Sequence, residues 1–250
     1  MRGRLRGLIF LATLALIWAA ASRASDRLLL PGPDDVARAL WAALRSGLLL
    51  RAVGKSFARL AFGYSLSLVG GVALGVALAR VKWLKDTVGP LVLGLQAIPS
   101  VCWLPLALLW FGLGEAAIQT VVVLGSLLAV TLATESAVKT IPPVMLRAAR
   151  TMGAEGWVLW RRVVLPAALP GIVSGARLGW TFAWRSLLAG ELLFVSGGLG
   201  QMLEFGRELN DMATVMGVMV VIVALGLASD QLLFGRLERR VRRAWGLDRG

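Results

Sequence analysis

Apolar stretches free of charge alternate along this chain with short segments rich in arginine and lysine. Uninterrupted runs cover Leu60 to Ala79, Thr87 to Gly114, Ala116 to Thr134 and Met212 to Ser229. About 20 apolar residues carry a helix across the hydrocarbon core of a bilayer, so each run is a candidate span. Gly171 to Glu191 is a fifth and the most polar, since Arg177 and Arg185 lie within it. A sixth runs from Gly7 to Ser22, behind Arg2, Arg4 and Arg6. Ala19-Ala20-Ala21 has the small residues of a signal-peptide cleavage region, so a cleaved segment is the competing reading there. An uncleaved span is preferred, because it leaves an even number of spans with both termini inside. The pattern predicts an all-α fold: a polytopic transmembrane helical bundle of about six spans.

Prolines and glycines punctuate the runs. Pro99 and Pro105 fall inside the longest, where a lost hydrogen bond predicts one kinked span. Gly71-x-x-x-Gly75, with Gly63 and Gly70 nearby, predicts close helix packing within the chain. Pro31 and Pro33 end the segment before Asp34 and Asp35, which could cap an amphipathic helix starting near Val36. Ala37, Leu40, Trp41 and Leu44 share one face of it, as on an extracytoplasmic surface helix. Ser196 to Gly200 reads as a turn outside the membrane, and Gly235 to Gly250 as a basic juxtamembrane tail.

The composition agrees with this pattern: 58% of residues are hydrophobic and the mean hydropathy is +0.76, too high for an ordinary soluble domain. A formal charge of +13 could suggest nucleic acid, but the basic residues sit in short segments between spans. With the N-terminus inside, 17 of the 27 Lys and Arg fall on the cytoplasmic side, as the positive-inside rule expects. No nucleic-acid partner is therefore expected. The absence of histidine excludes His-based catalysis and the usual zinc sites, and the single Cys102 can form no intrachain disulfide. No GxxxxGK[ST] phosphate loop occurs, so the chain cannot bind ATP in that manner.

The longest interruption of the apolar pattern is Leu146 to Arg177. Arg147, Arg150, Arg161 and Arg162 make it basic, while Met152, Trp157, Trp160, Val163 and Val164 supply apolar positions. It reads as a helix, a bend at Gly153, a second short amphipathic helix, and a proline stop at Pro166 before re-entry into the bilayer. Such an element lies at the membrane surface and presents an apolar and basic face; an interfacial helix without a protein partner is the alternative. The spacing Ala148-Ala149, three residues, Gly153, nine residues, Val163, one residue, Leu165-Pro166 resembles the EAA loop of bacterial ABC importer permeases. One residue departs from that pattern: Arg147 stands where the family has an acidic residue.

Two further stretches carry the resemblance. Ile98 to Gly114, with Pro105-Leu106 and Trp110 to Gly114, is similar to the sulfonate, taurine and nitrate branch, and Pro31 to Val36 resembles that family's Pro-x-Pro-x-x-Val segment. The resemblance implies one permease domain over residues 1–250, with its core at about 57–235. It also implies an extracytoplasmic segment 23–56, a cytoplasmic coupling loop 141–170 and a cytoplasmic tail 236–250. The coupling residues would be Arg147, Ala148, Ala149, Gly153, Ala154, Trp157, Leu165 and Pro166. The implied partners are a second permease copy, two cytoplasmic ATPases holding ATP and Mg, an extracytoplasmic binding protein and membrane lipid. No cofactor is expected in this chain. The family's solutes include sulfonates, small oxyanions and neutral organic molecules.

Within the fifth span, Arg177, Trp180, Thr181, Trp184, Leu188 and Glu191 share a helix face, with Arg185 on its flank. Trp184, Arg185 and Glu191 are the candidate pathway-lining residues, because ionisable groups in a bilayer face a bundle interior or an aqueous cavity. Arg177, near the helix start, reads as snorkelling to the headgroups. Two other classes stay open at this point. One is an ion-gradient-driven secondary transporter using Glu191 and Asp230. The other is a membrane scaffold docking through its basic loop and tail.

Overall fold

A computed structural model describes residues 2–25, 29–193 and 196–245, and the described residues contain no strand. Two compact units emerge, Met1–Phe57 with Glu191–Leu225, and Ala58–Gly190 with Gly226–Gly250. The helices are α1 (Arg2–Ala24), α2 (Pro33–Arg45), α3 (Leu48–Arg80), α4 (Lys82–Gln96), α5 (Leu104–Phe111) and α6 (Glu115–Lys139). They continue with α7 (Pro143–Thr151), α8 (Gly156–Leu159), α9 (Leu165–Glu191), α10 (Leu199–Glu208), α11 (Met212–Ser229) and α12 (Gly235–Ala244). Residues 246–250 of the expected basic tail lie outside the described residues.

Among the described residues four continuous helices are long and apolar enough to cross a membrane: Leu48–Arg80, Glu115–Lys139, Gly156–Glu191 and Met212–Val241. The expected single span from Thr87 to Gly114 is instead two helices meeting at 103°, and among the described residues the apolar part of α1 is Ala12–Ala24. The prolines explain the bend. Pro99 precedes the 3-10 turn Ser100–Trp103 with extended-type ψ, so the break falls there. Pro105 lies in the first turn of α5, where its missing N–H costs nothing, and it starts a helix instead of kinking one.

In the unit built from residues 58–190 and 226–250, α6 is central. Half of its spanning window is buried, against 17% for that of α11. Glycines allow this on both sides of α6. A Cβ on Gly71 of α3 would meet the Leu127 carbonyl oxygen at 2.9 Å, and one on Gly75 would meet Thr134 Cβ at 2.6 Å. On the α9 side, Gly171 and Gly175 approach Ala137 and Ala133, where an added Cβ would come within 2.6 and 2.5 Å. This is the intrachain close packing that Gly71-x-x-x-Gly75 predicted. The Tyr64 hydroxyl donates to the Ala176 carbonyl (2.8 Å), and its ring stands edge-on to Trp180 at 5.1 Å. Arg59, buried, pairs with Glu115 in the first turn of α6 through Nε–Oε2 (2.6 Å) and a second contact.

In the unit built from residues 1–57 and 191–225, α2 begins at Pro33 and not near Val36. The Asp35 carboxylate accepts from the Gly32 amide at 3.1 Å, closing the N-terminus as the acidic pair suggested. Val36 and Leu40 face Gly217 of α11, while Trp41 and Leu44 are exposed.

Candidate functional site

The loop over residues 143–164 is built around one helix ending. α7 closes with the Ala154 amide bonding the Ala149 carbonyl (3.0 Å) and the Gly153 amide bonding the Arg150 carbonyl (2.9 Å). Gly153 sits at φ +83° between them. These are the two bonds of a Schellman cap, with glycine at the left-handed position and an apolar contact between the flanking residues, here Ala149 and Ala154. The spacing of Ala149 and Gly153 in the sequence is thus the spacing of a helix C-cap. Gly156, at φ +53°, makes a second turn into α8.

Beyond α8 the chain differs from expectation. Pro166 is not a stop, because Gly156 to Glu191 forms one continuous helical span. A π turn over Trp160–Val164, with the Leu165 amide reaching back to the Trp160 carbonyl, shifts the hydrogen-bond register immediately before Pro166 removes a donor. Leu165 and Pro166 are half-buried within that helix and do not end it.

The loop has two faces. Ile141, Ala149, Leu159, Val164 and Ala168 form a buried cluster that holds it in place. The outer face leaves Val144, Met145, Met152, Trp157 and Val158 exposed, Met152 at 80% and Trp157 at 62%. Arg147, Ala148, Arg150, Arg161 and Arg162 are exposed as well. Trp160 is anchored under the Arg80 guanidinium, 5.6 Å from its ring centre. An apolar patch with a basic rim is the make-up of a protein-docking surface.

The fifth-span candidates separate. Trp184 is buried, with its indole nitrogen facing Gly226. Glu191 is wholly buried; the Ser56 hydroxyl contacts its carboxylate at 2.7 Å, and the Gly200 amide donates to it at 3.0 Å. A carboxylate held at the first turn of α10 satisfies amide donors that no helical carbonyl reaches. Arg185 is exposed at a cavity of about 230 Å³ at the α4–α5 break. Arg177 does not simply snorkel: it grips Asp230 with two bonds of 2.7 and 2.6 Å and reaches Glu238 at 3.0 Å. Sequence reasoning missed Gln96, Ser100, Trp103 and Phe182 around Arg185, although Pro99 marked the break that brings the first three there.

The architecture is that of a multi-spanning helical membrane protein with an exposed apolar and basic loop. Residues 71–243 match the family described as binding-protein-dependent transport system inner membrane component, and the chain belongs to that family. It is a multi-pass inner-membrane permease of an ABC importer, in a family of transport subunits that are not themselves catalytic. A putative ABC transporter permease of Methanocaldococcus jannaschii is 33% identical over 70% of this chain and 66% of its own length, just under two thirds. The taurine transport system permease TauC of Escherichia coli is 28% identical over 92% of this chain and 86% of its own. Among solved structures, the inward-facing MetNI methionine ABC transporter superposes with a TM-score of 0.68 at 26% identity. That match covers 78% of this chain and 96% of the other.

Proposed function

We propose that this permease couples to a separate cytoplasmic ATPase through the 143–164 loop, and that a separate extracytoplasmic binding protein delivers its solute. Two copies of the chain form the pathway, and two ATPases hold the ATP and Mg that this chain has no phosphate loop to bind. The loop, residues 236–250 and both termini face the cytoplasm, while residues 23–56 face outside. The solute is a small molecule of the sulfonate, taurine or nitrate kind, the reading supported by the likeness to the taurine permease of Escherichia coli. The observation that carries the coupling assignment is the capped loop itself: a buried inner cluster, a left-handed Gly153, and an outer face of Met152, Trp157 and Val158 rimmed by arginine.

Arg147 gives that rim a positive charge at the one position where the EAA pattern has an acidic residue, so the matching surface on this ATPase should be acidic at the facing position. Co-expression with the neighbouring genes should yield a stable complex of permease and P-loop ATPase. A permease that purifies alone and moves solute on an ion gradient without ATP would contradict the reading. In the structure Asp230, one of the two carboxylates such a carrier would use, is committed to Arg177.

A further inference from the structure

The break between α4 and α5 opens a cavity whose chemistry the coupling loop does not explain. Gln96, Ser100 and Trp103 line it from the break, Gly125 from α6, and Phe182 and Arg185 from α9. Among the described residues no aspartate or glutamate lines it. Arg185 has no hydrogen bond or ion pair with any described residue, so the cavity carries a guanidinium that nothing nearby neutralises. Two other arginines within spanning helices have carboxylates: Arg59 has Glu115, and Arg177 has Asp230 and Glu238. An uncompensated guanidinium at spanning depth is costly and marks a functional position.

Ser186 is fully buried, and its hydroxyl has no hydrogen-bond partner among the described residues. It presses on Gly125, where an added Cβ would also meet Ser100 Cβ at 3.1 Å. Gly125 therefore keeps two serines and the cavity floor together, and any side chain there would fill the space. Trp103 and Phe182 supply apolar wall to the cavity. At about 230 Å³ the space is below the range of drug-sized pockets, so it suits a compact molecule.

We propose that this cavity is a low-affinity binding subsite for a small organic anion. Its sulfonate or carboxylate head lies on the Arg185 fork within reach of Ser100 and Gln96, and its short apolar body lies against Trp103 and Phe182. A planar guanidinium suits a multi-oxygen anionic head, and the absence of a second cation keeps the grip weak enough for release. Selection by charge would then operate in the permease itself, and not only in the protein that delivers the solute.

The test uses the full chain with Ser100→Cys as the reporter thiol in a Cys102→Ser background, reconstituted in phosphatidylcholine vesicles. Sulfonatoethyl methanethiosulfonate and its trimethylammonium counterpart are compared, each normalised to a free thiol in solution. The anionic reagent should react roughly tenfold faster than the cationic one, because a nearby unpaired charge acts at low effective dielectric. Arg185→Gln should erase most of that ratio and Arg185→Lys should keep most of it. Millimolar ethanesulfonate should slow modification by neutral methyl methanethiosulfonate, and the uncharged ethyl methyl sulfone should not. An unchanged ratio in Arg185→Gln, or no protection by ethanesulfonate, overturns the proposal. Protection by added phosphatidylglycerol alone assigns the cavity to a lipid headgroup and overturns it equally. No ATPase takes part, so this outcome is read independently of whether the 143–164 loop couples.

Discussion

The 143–164 loop and the α4–α5 junction are both places where a helix is interrupted, yet they are built in opposite ways. In the loop a single glycine, Gly153, turns the chain at φ +83°, and the freed amides close locally onto Ala149 and Arg150. Among the described residues nothing lies within 4 Å of the position its Cβ would occupy, so at this position the constraint is backbone conformation and not space. At the α4–α5 junction Pro99 ends one helix, but the 103° bend is held by packing at a distance. Leu104 and Ala107 of α5 are buried against Ala117 and Val121 of α6. The first interruption turns apolar side chains outward and the second gathers polar ones around a cavity. A break controlled by one residue's φ can be altered without unfolding its surroundings, which suits a transmitting loop. A break controlled by packing is rigid, which suits a site.

The contrast predicts unequal responses to single substitutions. Gly153→Val should give the larger effect, since a β-branched residue at positive φ costs about 1–2 kcal/mol. That is a factor of roughly 5–30 in the population of the intact loop. Membrane insertion should be unchanged and transport-stimulated ATP hydrolysis should fall by a comparable factor. Gly153→Asn, which tolerates the left-handed region, should recover most of it. Equal hydrolysis by the valine and asparagine variants would mean that the turn is not the transmitting feature. Pro99→Ala should do little at the other break. Losing the proline's restriction of the unfolded chain costs about 0.4–1 kcal/mol, visible as a small drop in thermal midpoint in detergent. If Pro99→Ala instead lets α4 run on and alters the reactivity of a thiol at residue 100, proline and not packing holds the bend.

How much of this was legible in the sequence follows from the range of the interactions. The spans in α3, α6, α9 and α11, the close packing at Gly71 and Gly75, and the bend at Gly153 were legible because each is written in neighbouring residues. The stop assigned to Pro166 was not correct, because a π turn that shifts the hydrogen-bond register has no residue signature, and it lets a proline sit inside a continuous helix. The reading of Arg177 as a snorkelling residue failed for a different reason: Asp230 and Glu238 lie more than 50 positions away, and only the fold brings them to it. Glu191 was recognised as unusual for its position in an apolar run. Its partners Ser56 and Gly200 are also set by tertiary structure and could not be paired from spacing.

On the proposed reading, the ATPase sits on the outer face of the 143–164 loop. Met152 is exposed and close in volume to other flexible side chains, so Met152→Cys in a Cys102→Ser background introduces a reporter with little disturbance. Glu208→Cys, exposed at the end of α10, serves as the control. Both should react with a maleimide in the isolated permease. In the permease–ATPase complex, the rate at residue 152 should fall roughly tenfold or more, as expected at the water-excluded centre of an interface, while residue 208 reacts as before. Equal labelling of residue 152 with and without the ATPase would contradict the account.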